Sequence, residues 1–368
     1  MKQVTTLFKT TVLVLLLLPV VGLANNDKFK GKYTKEKTLK KEYTVNAGAG
    51  LEVDNSYGNI DIVTWNENRI VIEVVIKTNG NNEEKVQKKL DDITVDFSGN
   101  GSLVSAKTNF RKAKSTWSWF GGNSNKKNGV NMEVNYTIKM PATNSVNLSN
   151  DYGGISIDRL EGNAKISCDY GQLELGELLA DDNYLSFDYT RTANIRYMKS
   201  GKINADYSDF TLEEVENLEL DTDYTKSEIL KVDRLNYNSD YGRLEVGSAG
   251  TVTGNGDYIP QSFKNIKTSL DIDSDYGSIT VDNFSSNLRS VKINSSYAGI
   301  KLGFDANATF SFNLDLSYAS LKGEDDFNLT STDKNGSKKQ YSGYAGSQSS
   351  GNSVNIRSSY GGVTFRKN

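Results

Sequence analysis

The chain has 368 residues, with 43 Lys or Arg against 46 Asp or Glu, a formal net charge of −3 and no histidine. Without imidazole, Ser-His-Asp and Cys-His catalysis, histidine-ligated metals and the usual near-neutral proton shuttle are excluded, and carboxylate chemistry is the enzymatic option that remains. A single cysteine, Cys168, rules out an intramolecular disulfide.

Met1 to Ala24 reads as a secretory signal peptide. Lys2 and Lys9 precede an apolar run from Val12 to Val21, and Gly22-Leu23-Ala24 supplies a small-residue cleavage site. The run is shorter than the ~20 apolar residues of a membrane span, so no transmembrane span is expected in the mature chain. No cysteine follows it to take a lipid anchor. Export to the periplasm, the outer envelope or the cell surface is the implied localisation. Residues 25–45 carry Lys28, Lys30, Lys32, Lys35, Lys37, Lys40 and Lys41 without an apolar period, and are expected to form an exposed leader.

Residues 46–141 are expected to hold a first repeat copy, from Ala47 to Val63, and an N-terminal capping region. Arg69 to Lys77 has the pattern of a strand. Asn82 to Leu90 has that of a helix, with acids in its first turn and lysines in its last. Strands follow near Ile93 to Phe97 and Leu103 to Thr108, and Val130 to Met140 alternates cleanly before Pro141. Between Phe110 and Gly129 lies a Gly, Asn and Lys-rich loop with Trp117, Trp119 and Phe120. Aromatic residues in a basic loop suit glycan stacking or a partner's pocket, so these three are candidate ligand-binding residues. The competing reading folds them back onto the cap as a small satellite core.

From residue 142 to 368 a tyrosine recurs. Tyr152, Tyr170, Tyr189, Tyr207, Tyr224, Tyr241, Tyr258 and Tyr276 follow at steps of 18, 19, 18, 17, 17, 17 and 18 residues, with an earlier copy at Tyr57 and later ones at Tyr297, Tyr318 and Tyr360. A fixed period near this length marks stacked coils of strand. Four residues before the tyrosine stands an apolar residue in nearly every copy, as at Val53, Leu148, Ile166, Ile203, Ile272 and Ile356. Two before it the residue is usually small (Ala205, Thr222, Ser239, Ser274, Ser295), and Cys168 takes that place in its own copy. After the tyrosine the apolar residues fall at the third and fifth positions, as at Ile155 and Ile157, with a weaker one near the eighth, as at Leu160 and Val215. The period of two turns all of these positions to one interior. The tyrosines are expected to join them there as an internal structural ladder, with the glycine that often follows (Gly58, Gly153, Gly171, Gly242, Gly277, Gly361) supplying positive φ at the corner.

The expected fold is therefore all-β, a parallel β-helix or solenoid with rungs of about 18 residues and a small N-terminal strand and helix cap. Residues 330–353, rich in Gly and Ser, are expected to be a flexible insertion in its last rungs. An antiparallel sandwich is the alternative; Asn-Gly hairpin turns, which it would need, are scarce between the strands.

The residue before the tyrosine is aspartate in eight successive copies: Asp151, Asp169, Asp188, Asp206, Asp223, Asp240, Asp257 and Asp275. By parity these carboxylates point outward in a column. Either each accepts a bond from a backbone N–H two residues on, an Asx-type turn, or the column holds weak calcium sites. The calcium nonapeptide pattern G-G-x-G-x-D is absent, so no cofactor is the first expectation and calcium the alternative. Between Leu148 and Asp282 the net charge is −14, against +9 for the rest of the mature chain, which argues against nucleic acid as a partner of the repeat region.

The series of copies resembling Y-G-x-I-x-V looks like the bacterial putative-adhesin family of domains of unknown function. The matching pieces are Ser56 to Ile62, Tyr136 to Pro141 with its Y-T-I-K-M-P, and the D-Y-G copies onward from Asp151. The resemblance implies a right-handed parallel β-helix exported to the cell envelope, with no agreed catalytic residues. The expected function is a non-enzymatic surface or envelope protein, an adhesin or scaffold whose partner is a glycan or a protein at the cell surface. A polysaccharide-acting β-helix enzyme using pairs such as Asp169 with Glu174 or Asp240 with Glu245 is one alternative. An accessory role in envelope-stress signalling, implied by the resemblance alone, is another. The oligomeric state is left open.

Overall fold

The computed structural model describes residues 29–111 and 129–368. Apart from the helix Glu83–Asp91 and one 3-10 turn at Glu324–Asp326, the regular elements of the described residues are strands, joined in one mixed sheet of 26. The signal-peptide expectation for Met1 to Ala24 lies outside the described residues.

Successive repeat copies pair in parallel and in register, each residue opposite its counterpart one period on. Leu148 faces Ile166, Ile166 faces Leu185, Leu185 faces Ile203 and Ile203 faces Leu220. On the other side of the tyrosine, Ile155 faces Leu173 and Leu175 faces Ile195. In the middle of the chain a single strand runs from one tyrosine corner to the next, as in Ala193–Asp206, Asp209–Asp223 and Lys226–Asp240. The pairing between the first two leaves out Arg196 with Glu213 and Lys199 with Glu216. At those gaps the chain bends, and the inward set passes from Ile195 to Met198 to Ile203, all buried. Each copy thus delivers three groups of apolar side chains to one continuous core.

Two copies break the apolar rule and compensate each other. Tyr237 stands where neighbours have Leu or Ile, and the residue paired with it, Gly254, has no side chain. The Tyr237 ring fills the space a Gly254 Cβ would enter, which lies 2.1 Å from a ring carbon, and its buried hydroxyl donates to Gln261 Oε1.

Four expectations are corrected. The tyrosines are not internal: from Tyr152 to Tyr360 they are 46 to 63% exposed. All twelve have φ between 51 and 65°. The tyrosine is itself the left-handed corner, and the turn swings its ring out of the alternation that would have carried it inward. The glycine after it consequently has no positive φ. It is small for another reason: a Cβ on Gly153 would lie 1.9 Å from Gly58 O, and one on Gly277 2.2 Å from Ile259 O. Where Thr190, Ser208 and Thr225 replace glycine, their buried hydroxyls donate to carbonyls of the preceding copy, Cys168 O, Phe187 O and Ala205 O.

The lysine-rich leader is instead largely a strand, Tyr33–Thr44, paired antiparallel along its length with Arg69–Gly80. Leu39 and Tyr43 pack against the core. Lys37 Nζ donates to Leu90 O and Ile93 O at the end of the helix, where a cation suits both the open carbonyls and the helix dipole. The lysines suit an edge strand, since charge there discourages pairing with another chain. The helix lies where its pattern placed it, with Asn82 Oδ1 capping Lys85 N at 2.9 Å and Val86 and Leu90 buried.

The stretch 330–353 is not a loop excursion but mostly a hairpin, Asn328–Asn335 with Lys338–Ala345, whose second strand pairs antiparallel with Phe310–Ser317. The copies there also leave chain order: Ser353–Ser359 lies between Ser290–Ser296 and Phe310–Ser317.

Candidate functional site

Each corner is built from backbone outward. The N–H of Tyr170 donates to Asp188 O at 2.9 Å, and that of Tyr207 to Asp223 O at 3.0 Å. The same register at every copy places each ring over the next. The result is a column of twelve tyrosines in the order Tyr57, Tyr152, Tyr170, Tyr189, Tyr207, Tyr224, Tyr241, Tyr258, Tyr276, Tyr297, Tyr360 and Tyr318. Neighbouring centroids are 4.7 to 5.3 Å apart and the planes within 13° of parallel. Phe110 closes one end edge-on, 5.7 Å from Tyr57. At the other end no further ring of the described residues covers Tyr318.

The energetics favour this use of tyrosine despite the strained corner. Half-burying a ring is worth ~2–3 kcal/mol at ~25 cal/mol per Å², and stacking adds ~0.5–1.5 kcal/mol. The left-handed backbone costs ~1–2 kcal/mol, so each tyrosine is net stabilising. The ring faces are spent on one another, and solvent sees ring edges. Desolvation, followed by the charge of neighbouring phenolates, raises the hydroxyls of Tyr170, Tyr207 and Tyr258 above the ordinary phenol range. At neutral pH these hydroxyls are therefore neutral and able both to donate and to accept.

The aspartate column runs beside the rings and points outward, as parity required, but its bonding differs from the expected Asx turn. Five of the eight carboxylates serve the next copy: Asp169 Oδ1 accepts from Asp188 N at 3.2 Å, Asp188 from Asp206 N at 3.1 Å, Asp206 from Asp223 N at 3.0 Å, Asp240 from Asp257 N at 2.9 Å and Asp257 from Asp275 N at 2.8 Å. The corner turns this N–H away from the strand ladder, and an acceptor one repeat back satisfies it. Desolvation raises the carboxyls of Asp151, Asp169 and Asp223 above the usual range, with neighbouring aspartates adding to it. Among the described residues no three Asp, Glu or Cys side chains come together as a metal-holding group.

An open cleft of about 600 Å³ lies along the first three corners, walled by Tyr57, Tyr152 and Tyr170 and facing Met132 and Glu133. Its lining includes Gly58, Gly153 and Gly171, where a Cβ would lie 1.9 to 2.1 Å from a backbone oxygen. Trp117, Trp119 and Phe120 lie outside the described residues. Glu174 and Glu245, two of the carboxylates weighed as catalytic, accept from Asn194 Nδ2 and Arg243 Nη1 respectively. Cys168 is buried, its thiol pushed up to about 12 mainly by desolvation, which makes it a poor nucleophile.

An inward polar ladder escaped sequence reasoning. Asn55 and Asn150 occupy the small inward position of their copies, fully buried. Asn55 Nδ2 donates to Asn150 Oδ1 at 3.2 Å and Val134 O at 3.0 Å, and Asn150 Nδ2 to Gly58 O at 2.8 Å and Gly154 O at 3.0 Å. Their place in the alignment was the available signal.

No family model matches the chain, and no curated protein does. Solved structures similar to it include a putative cell adhesion protein from Clostridium sporogenes, 11% identical, covering 91% of this chain and 100% of that one at a TM-score of 0.20. A putative adhesin from Bacteroides fragilis is 10% identical, with 90% and 97% covered at 0.21. A putative lipid binding protein from Parabacteroides distasonis is 8% identical, with 89% and 96% covered at 0.28. No helix among the described residues is long and apolar enough to cross a membrane.

Proposed function

We propose that this is a non-enzymatic, exported surface or cell-envelope protein, an adhesin or scaffold whose binding face is the tyrosine column with its flanking aspartates. The repeat copies in this reading wind as a parallel β-helix behind an N-terminal cap; the in-register parallel pairing and the two bends per copy support it. The observation that carries the functional reading is the column itself: twelve stacked rings along one surface, eleven of them about half exposed. Ring edges and neutral hydroxyls repeating at strand spacing suit an extended partner with its own repeating polar groups, a glycan or a protein at the cell surface.

Two measurements test it together. Protease added to intact cells should cleave the protein, and purified protein should bind glycans or matrix proteins in a way that Tyr207→Ala with Tyr224→Ala weakens at least tenfold. A sealed periplasmic location with no partner in pull-downs would count against the reading.

A further inference from the structure

The end of the chain does not sit where chain order puts it. The ring of Tyr360 lies between those of Tyr297 and Tyr318, at 4.7 and 4.8 Å. Ser353–Ser359 pairs in register on both sides, Ile356 opposite Ile293 and Leu314. Val363–Lys367 is likewise held between Gly299–Phe304 and Leu321–Lys322. Asn368 completes the seat, its Nδ2 donating to Asp282 O at 2.9 Å and Asn283 Oδ1 at 2.8 Å.

The chain leaves a slot for this insertion. Residues 285–289 connect Phe284 to Ser290 and climb one strand spacing, because Ser290–Ser296 pairs directly with the previous copy. Residues 305–309 are a connection of equal length, yet they climb two spacings, because the C-terminal strands occupy the space between. The segment 346–352 is the covalent tie that leads into the inserted strands. It is largely exposed, has positive φ at Gly346 and Gly351, and passes from Ala345 on one side of Phe310–Ser317 to Ser353 on the other.

We propose that these strands are exchangeable: residues 353–368 of one molecule fill the slot between the Tyr297 and Tyr318 copies of a second copy of this chain, joining the two by reciprocal insertion. The slot recognises its occupant through parallel pairing on both sides, the buried anchors Val354, Ile356, Val363 and Phe365, and the intercalated Tyr360 ring. A second molecule's segment presents these features unchanged, and only the tether decides whose segment enters.

The test pairs a reporter with a shortened tether. Ser295 and Ser358 are paired positions with Oγ atoms 3.3 Å apart, so Ser295→Cys with Ser358→Cys can form a disulfide across the slot wall. With the native tether, oxidation should give a monomer on a non-reducing gel. Deleting residues 346–350 leaves two residues, at most ~11 Å of extended chain, to pass around an intervening strand. The same cysteine pair should then give a disulfide-linked dimer with unchanged circular dichroism. In parallel, two mass-tagged forms of the full-length chain bearing both substitutions, kept reduced, mixed in mild guanidinium and returned to buffer, should form mixed dimers by native mass spectrometry. Oxidising the introduced thiol pair before mixing should abolish them. A folded, monomeric shortened chain, or mixed dimers that form equally in the oxidised protein, would overturn the proposal. If the shortened chain does not fold, the mixing experiment decides alone, and absence of mixed dimers there overturns it.

Discussion

The backbone N–H of Asp188 donates to Asp169 Oδ1 at 3.2 Å, while Asp188 O accepts from Tyr170 N at 2.9 Å. One aspartate thus has both its main-chain groups tied to the previous copy, and the carboxylate of Asp169 is part of the tie. The bond needs an acceptor but no charge. Because desolvation raises the Asp169 carboxyl, the native state binds more protons than the unfolded chain between the unfolded value of ~3.9 and the raised one. Its ionisation therefore works against stability above that window, and the loss is recovered as pH falls through it. Asp169→Asn keeps Oδ1 and removes the charge. The variant should melt above the wild type at pH 7, with the difference closing toward about pH 4. A variant that melts lower at pH 7 would mean the charge strengthens the bond more than its desolvation costs.

At Tyr207 the backbone and the ring pull in opposite directions, and three substitutions separate them. Tyr207→Phe keeps the stacking between Tyr189 and Tyr224 and should cost less than ~0.5 kcal/mol. Tyr207→Ala loses ring burial and stacking but keeps φ at 51°, for a cost of ~2–4 kcal/mol in chemical denaturation. Tyr207→Gly loses the same contacts and relieves the left-handed corner, so it should be less damaging than alanine by ~1 kcal/mol. Alanine better tolerated than glycine would show that the corner is not strained.

The contrast between the core and the corner explains how far the sequence could be read. Ile166, Leu185 and Ile203 declare themselves because burial is a property of one residue in a period, and their register follows once the period is known. The direction of the tyrosine ring depends on a single dihedral that no composition signal marks: a bulky residue in the left-handed region is an outlier, and glycine next door is the natural suspect. The Lys-rich strand Tyr33–Thr44 was hidden for a related reason, since an edge strand needs few apolar residues and its partner lies far along the chain. The slot between Tyr297 and Tyr318 lay beyond any local pattern, because two connections of equal length climb different distances. At the candidate site, the aspartate column was legible as outward, whereas its acceptors' partners, one repeat away, required the stacking geometry.

Calcium should leave this protein's stability unchanged. A calcium ion takes six to eight oxygens, whereas in Asp169, Asp188, Asp206, Asp240 and Asp257 one carboxylate oxygen is already committed to a backbone N–H. Binding would have to break those bonds or make do with the remaining oxygens of a column. Thermal melts with millimolar calcium and with chelator should superimpose; a rise of several degrees with calcium would restore the metal reading.

Asn150 offers the sharpest test of the inward polar ladder. Its amide nitrogen satisfies Gly58 O and Gly154 O, and its oxygen accepts from Asn55 Nδ2, all within the core. Asn150→Ala leaves two buried carbonyls each with one fewer donor and removes a partner from Asn55, which retains its bond to Val134 O. The expected loss is ~2–4 kcal/mol, since unmade buried bonds cost more than made ones gain. Asn150→Asp, nearly identical in shape, should be worse at pH 7, because a carboxylate would face two carbonyl oxygens with no donor to offer. Lowering the pH should recover part of that loss, as the protonated acid regains one donor. Urea titrations of the two variants at pH 7 and about pH 4 separate the effects. Equal stability of wild type and Asn150→Ala would mean that the amide merely fills space.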